Sequence, residues 1–277
     1  MEMDYDIVKN PAGGYYLNER LLDNSEIKFL VDAIFSSKSL NGNKAKELAN
    51  KITSSLSKND RKDYSYILKS TQVNRTENSD AFYNIEIINE AISQNKRIAF
   101  EYLSADSQGK QTKRYGGMKY PCSPYYLVSN FGKYYVLANR DKFNTISPYR
   151  LDRITNIEII DEKRKHPKDI EGFGASFDPA KYINDHIYLF GGEVIHAEIN
   201  ILSYSAIYYV LDWFGNNARI ERSEDRTIKA YITCNEHAFY FWAMQYAETM
   251  EVVSPQSVVD RMCKTANEII ERSKRAR

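Results

Sequence analysis

Apolar and polar residues alternate with two different periods along this chain, and the change of period divides it into segments. Residues 4–18 show two short apolar runs around Asn10-Pro11-Ala12-Gly13-Gly14, the pattern of a β-hairpin. Ile27, Leu30, Val31, Ile34 and Phe35 then recur at helical spacing and predict a helix over 25–36. Asp23 is its expected N-cap, with Glu26 three residues on completing a capping box. A second helix, over 42–56, lines up Ala45, Leu48, Ala49, Ile52 and Leu56. The polar stretch from Ser57 to Asp80 lacks a period and is expected to be a linker. A third helix over 81–95 carries Phe82, Ile85, Ile88 and Ile92.

From residue 97 the period drops to two. Ile98, Phe100 and Tyr102 alternate with Ala99, Glu101 and Leu103, and Gly109, Gly116-Gly117 and Gly132 mark turns. Five short strands between 97 and 161 predict a small barrel or a strongly curled sheet. After Asn184 strands and helices alternate. Ile195, Ala197, Ile199 and Ile201 form one face of a strand, and a helix follows over 204–214. Strands at 218–222 and 227–234, an aromatic helix over 236–246, a strand at 248–253 and a helix over 256–273 complete the series. That order, βαββαβ plus a helix, is the split-βαβ arrangement. The fold class expected is therefore α+β: an N-terminal helical segment with a β-hairpin, a small barrel, and a C-terminal ferredoxin-like domain.

Composition adds one feature to this picture: charge is segregated. The chain of 277 residues has a formal net charge of +1, yet residues 96–153 carry 11 Lys or Arg against four Asp or Glu. Residues 185–253 hold ten acids and four bases. The basic segment also contains eight of the 22 tyrosines. Basic side chains bind phosphates and aromatic faces stack on unpaired bases, so this mixture suits single-stranded nucleic acid or a nucleotide. Opposite fields of this size also lead to the expectation that the acidic segment competes with such a ligand for the basic one.

Catalytic signatures are poor. Gly109-Lys110-Gln111-Thr112 lacks the first glycine of a phosphate loop, since Ser104 stands there. Gly172-Phe173-Gly174 is a lone GxG. His166, His186, His196 and His237 form no metalloprotease motif, and Cys234 with His237 gives only half of a zinc pattern. Cys122, Cys234 and Cys263 lie far apart, an odd set that suits a reducing cytoplasm rather than a disulfide framework. No run approaches the ~20 apolar residues of a membrane span. No enzyme activity, cofactor, metal site or membrane partner is expected.

The segment 98–160 resembles the WYL domain of bacterial transcriptional regulators. The resemblance rests on IAFEYLS, the basic run TKRYGGMKYP, the strand GKYYVLANRD and SPYRLDRITNIEI. The name motif falls on Tyr134-Tyr135-Val136, where Tyr135 is the literal match, and YRLDRI (Tyr149 to Ile154) is the more specific half. The resemblance implies a remnant of a winged helix-turn-helix with linker helices over 1–75, an Sm-like β-barrel over 80–165 and a C-terminal extension over 185–277. It also implies a ligand-sensing transcriptional regulator that works as a homodimer. The wing hairpin is represented but the recognition helix is not, so duplex DNA is an expected partner only if an upstream segment supplies one. The alternative is an accessory single-stranded nucleic-acid-binding protein of a CRISPR or phage defence system.

The expected anion-binding set is Lys113, Arg114, Arg140, Arg150 and Arg153, with Tyr102, Tyr120 and Tyr135 as stacking faces. Arginine suits the task because its planar fork grips phosphate bidentately and also stacks on bases. The aromatic cluster Phe239, Tyr240, Phe241, Trp242 and Tyr246 is a candidate dimer surface.

Overall fold

A computed structural model describes residues 7–9, 11, 13–17, 22–54, 56–62, 64, 78–174, 177–223 and 226–275. The chain divides into two compact units, one of Met1–Phe82 with Phe131–Lys133, the other of Tyr83–Asn130 and Tyr134–Arg277.

In the first unit β1 (Ile7–Lys9) pairs antiparallel with β2 (Tyr15–Leu17). The remainder of the expected hairpin, residues 4–6, 10, 12 and 18, lies outside the described residues. Helix α1 (Asn24–Ser36) starts where the capping box predicts. The Glu26 amide donates to the Asp23 carboxylate and the Asp23 amide to the Glu26 carboxylate, both at 2.8 Å. Helix α2 (Gly42–Thr53) is capped by Asn41 and ends three residues before the periodicity suggests. Ile27, Val31 and Phe35 pack with Ala49, Leu56 and Tyr64. The polar stretch after Ser57 is less featureless than expected. It contains the short helix α3 (Lys58–Lys62), and buried Tyr64 donates its hydroxyl to the Asn24 carbonyl at 3.0 Å. Residues 65–77 of that stretch lie outside the described residues.

In the second unit α4 (Ala81–Ser93) leads into β3 (Lys96–Ala105). Then come β4 (Gln111–Lys113), β5 (Lys119–Asn130), β6 (Lys133–Asn139), β7 (Ser147–Arg150) and β8 (Ile154–Lys163). The sheet order is β4-β3-β5-β6-β7, with β8 also on β3. Among the described residues no ladder joins β7 to β8, so the path of hydrogen bonds is open there. A 3-10 turn, Leu151–Arg153, connects the two strands. Ile98, Phe100 and Tyr102 share one pleat face with Tyr120 and Cys122 of β5, and Ile88 and Ala91 of α4 pack with them. Residues of β5 and β6 also build a second core, in which Tyr125, Val128, Tyr135, Leu137 and Ile146 meet Ile170, Phe173 and Leu189.

The C-terminal series forms as the alternation predicts. A short helix α5 (Pro179–Asp185) precedes β9 (Val194–Ile201), α6 (Ser205–Phe214), β10 (Ala218–Arg222) and β11 (Ile228–Asn235). Helix α7 (Glu236–Gln245), β12 (Met250–Ser254) and α8 (Gln256–Arg275) follow. The sheet is antiparallel with order β10-β11-β9-β12, so β9 and β11 are central. Ala197, Ile199 and Ile201 meet Val210, Phe214, Phe239 and Trp242 in its core. The aromatic cluster expected at a dimer surface is therefore mostly interior: Phe239, Tyr240 and Trp242 are buried, and Phe241 alone of the five is exposed. Three aromatic positions of one helix are consumed by the sheet beneath them.

Among the described residues no helix is long and apolar enough to cross a membrane. Among those residues no group of three or more His, Cys, Asp or Glu is arranged to hold a metal ion.

Candidate nucleic-acid interface

The expected site residues are carried by β3, β5, β6 and β7 and by the turns after β4 and β7. The pairing of β3 with β5 sets Phe100 directly opposite Tyr120, with ring planes 6° apart and centroids at 5.8 Å. Tyr149 closes on both edge-on, at 5.4 and 6.4 Å, and Tyr102 lies 6.1 Å from Phe100. The four rings form one cluster.

Burial in this cluster corrects part of the expected site. Tyr102, Tyr120 and Tyr135 are only 9%, 2% and 8% exposed. The Tyr102 and Tyr120 faces are taken by neighbouring rings, and Tyr135 packs in the second core. None of them offers a free face to a base in this structure. Burial raises the pKa of Tyr102, Tyr135 and Tyr149, so they are neutral phenols. The Tyr102 hydroxyl accepts the Arg150 amide at 3.0 Å and so fixes the start of the 151–153 turn.

The five cations separate into two kinds. Arg150 turns its fork onto Asp152, Nε to Oδ1 at 3.0 Å and Nη2 to Oδ2 at 2.6 Å, with the carboxylate buried. Its bidentate capacity is therefore used within the protein in this structure. Lys113 pairs with Glu101 at 2.7 Å and holds that carboxyl below its ordinary value. Arg114, Arg140 and Arg153 have no carboxylate partner among the described residues. The acids nearest to Arg153 in sequence are engaged elsewhere, Asp152 by Arg150 and Glu158 by Lys119 at 3.0 Å. The Arg140 guanidinium lies over the Tyr120 ring, 4.4 Å from its centroid. Arg114, Arg150 and Arg153 all act electrostatically on the Tyr102 hydroxyl.

One residue of this surface escaped the sequence reading. Tyr115 is 68% exposed, and the Arg114 guanidinium stacks on it at 4.9 Å. Its backbone is left-handed, φ 51°, and it is followed by Gly116 and Gly117 at φ 67° and 87°. A tyrosine is strained there, whereas the two glycines adopt the same region at little cost. The turn holds an aromatic ring and an arginine outward together. The signal in the sequence was Arg-Tyr placed directly before Gly-Gly. Replacing Tyr115 with alanine is expected to leave the melting temperature unchanged and to weaken binding of a single-stranded oligonucleotide by about 1–3 kcal/mol, the value of one stacked base. Unaltered affinity removes Tyr115 from the interface.

Two of the three cysteines are buried. Burial pushes the Cys122 and Cys234 thiols up to about 12, far from the thiolate that reacts.

The fold is α+β, a six-stranded sheet followed by a four-stranded antiparallel one. Residues 83–159 match the family model of the WYL domain. Two solved structures are similar over most of the chain. One is proteasome accessory factor B/C (PafBC) of Arthrobacter aurescens, at 15% identity and a TM-score of 0.34, covering 90% of this chain and 37% of that one. The other is described as a CRISPR Cas-related protein, at 15% identity and a TM-score of 0.45, covering 94% of this chain and 76% of that one. The chain thus spans little more than a third of the length of PafBC. No curated protein matches the sequence.

Proposed function

We propose that this protein is a ligand-sensing transcriptional regulator whose WYL domain binds a single-stranded oligonucleotide or nucleotide, without catalysis. The observation that carries the reading is that Arg114, Arg140 and Arg153 have no carboxylate partner among the described residues, in a segment where Lys96, Arg97, Lys113, Lys119 and Arg150 are matched to acids. A protein with no anionic partner has little reason to leave three arginines unmatched around an aromatic cluster, one of them stacked on an exposed tyrosine. The ligand-binding face is thus assigned to Arg114, Tyr115, Arg140 and Arg153. Lys113 and Arg150 shape it, and Tyr102 and Tyr120 lie beneath it.

The working form is a homodimer, and bound ligand shifts the arrangement of attached DNA-binding segments. That shift requires the ligand to bind one arrangement more tightly than the other.

Fluorescence anisotropy with a labelled single-stranded oligonucleotide at several salt concentrations tests this reading. Three phosphate contacts give a slope of log K against log salt near −2, at about −0.7 per contact. Absence of binding at low salt, or binding indifferent to salt, overturns it.

A further inference from the structure

The last helix extends past the domain that anchors it. Val258 is buried in the C-terminal core, Arg261 lies 3.7 Å over the Tyr240 ring, and Thr265 bonds the Tyr240 hydroxyl at 2.8 Å. From Ala266 to Arg275 every residue is exposed. The apolar stripe nevertheless continues: Val259, Cys263, Ala266 and Ile270 recur at i, i+4, i+7 and i+11, with Ile269 beside them. Ile269 and Ile270 are 46% and 51% exposed. Two to three turns back, Val259, Met262 and Cys263 line a groove whose other wall is Leu202, Met250 and Val252. The same helix therefore carries an apolar knob and an apolar groove. Ile270 cannot fill the groove of its own chain, because about 10 Å of continuous helix separates it from Cys263.

We propose that α8 pairs antiparallel with α8 of a second copy of this chain, each Ile269–Ile270 knob seated in the groove of the other. This inference rests on the homodimer reading and names its surface. A two-fold axis beside Ala266 sets Ile270 against Cys263 of the partner subunit and, reciprocally, Cys263 against the second isoleucine, the self-complementary match a two-fold interface requires. Ala266, the smallest side chain of the stripe, stands at the crossing point and lets the helices approach closely. Charge favours the same occupant. Glu251 lines the groove, and Arg272 and Arg275 follow the knob. An antiparallel pair brings these arginines toward the carboxylate at the other groove, and a parallel pair sets them side by side.

Light scattering on the full chain under reducing conditions at tens of micromolar is expected to give the mass of two chains for the wild type. Ile270→Glu, at a half-exposed position, is expected to keep the helical circular dichroism and give the mass of one chain. Orientation is read with Ile270→Cys, which retains the exposed Cys263. Mild oxidation is expected to yield a disulfide-linked dimer whose cross-linked peptides join position 270 of one chain to position 263 of the other. Cross-links joining only like positions, 270 to 270 or 263 to 263, overturn the antiparallel register. A wild-type dimer that survives Ile270→Glu overturns this surface and leaves the homodimer standing. A wild-type monomer overturns both.

Discussion

Replacing Arg150 with alanine is expected to lower stability by roughly 2–3 kcal/mol, toward the lower end of the range for breaking a buried ion pair because Arg150 is partly exposed. The loss comes less from the vanished attraction than from Asp152, a buried carboxylate left without its bidentate partner. In a unit of this size it corresponds to a fall of about 5–10 °C in melting temperature. Two further variants separate this account from a direct role in ligand binding. Arg150→Lys keeps the charge but not the fork, so it is expected to recover only part of the lost stability. Arg150→Ala combined with Asp152→Ala is expected to lose less than the sum of the two single changes, since the second removes the buried charge whose bidentate partner the first takes away. Thermal melts of the four proteins provide the check. An Arg150→Ala variant as stable as the wild type shows that the pair is incidental.

Replacing Arg114 and Arg153 together with alanine is expected to have the opposite profile: unchanged melting temperature and a large loss of affinity. Neither guanidinium has a carboxylate partner among the described residues, and both are exposed, so the fold loses little with them. If each neutralises one phosphate, the salt slope becomes shallower by about 1.4 and affinity at low salt falls by one to two orders of magnitude. Anisotropy titrations of wild type and variant across a salt series measure both quantities. A slope that does not change places the phosphate contacts elsewhere on the domain.

These two expectations diverge because arginines three residues apart, Arg150 and Arg153, have different tasks. Nothing local distinguishes them in the sequence, where both belong to YRLDRI and both have Asp152 within two residues. The 3-10 turn over 151–153 directs the carboxylate toward Arg150, and the ladder between β3 and β8 brings Glu158 within reach of Lys119 rather than Arg153.

Much of the architecture was legible in advance. The capping box at Asp23, the change from period 3.6 to period 2 near residue 97, and the whole βαββαβ series were readable within a few residues of their observed bounds. Signals of this kind act over one or two turns of helix or a few residues of strand, so neighbours in sequence suffice to express them. The basic excess between 96 and 153 was equally plain, because net charge does not depend on how a chain folds. Tertiary structure alone decided which members of that excess stay unmatched and which rings stay open. Tyr102 and Tyr120 became a buried stack because the β3–β5 register sets Phe100 against Tyr120, a contact across twenty residues of sequence. Tyr115 became the exposed ring because a left-handed turn holds it outward. Pairing and burial are settled between residues far apart in the chain, by a register that local pattern does not specify.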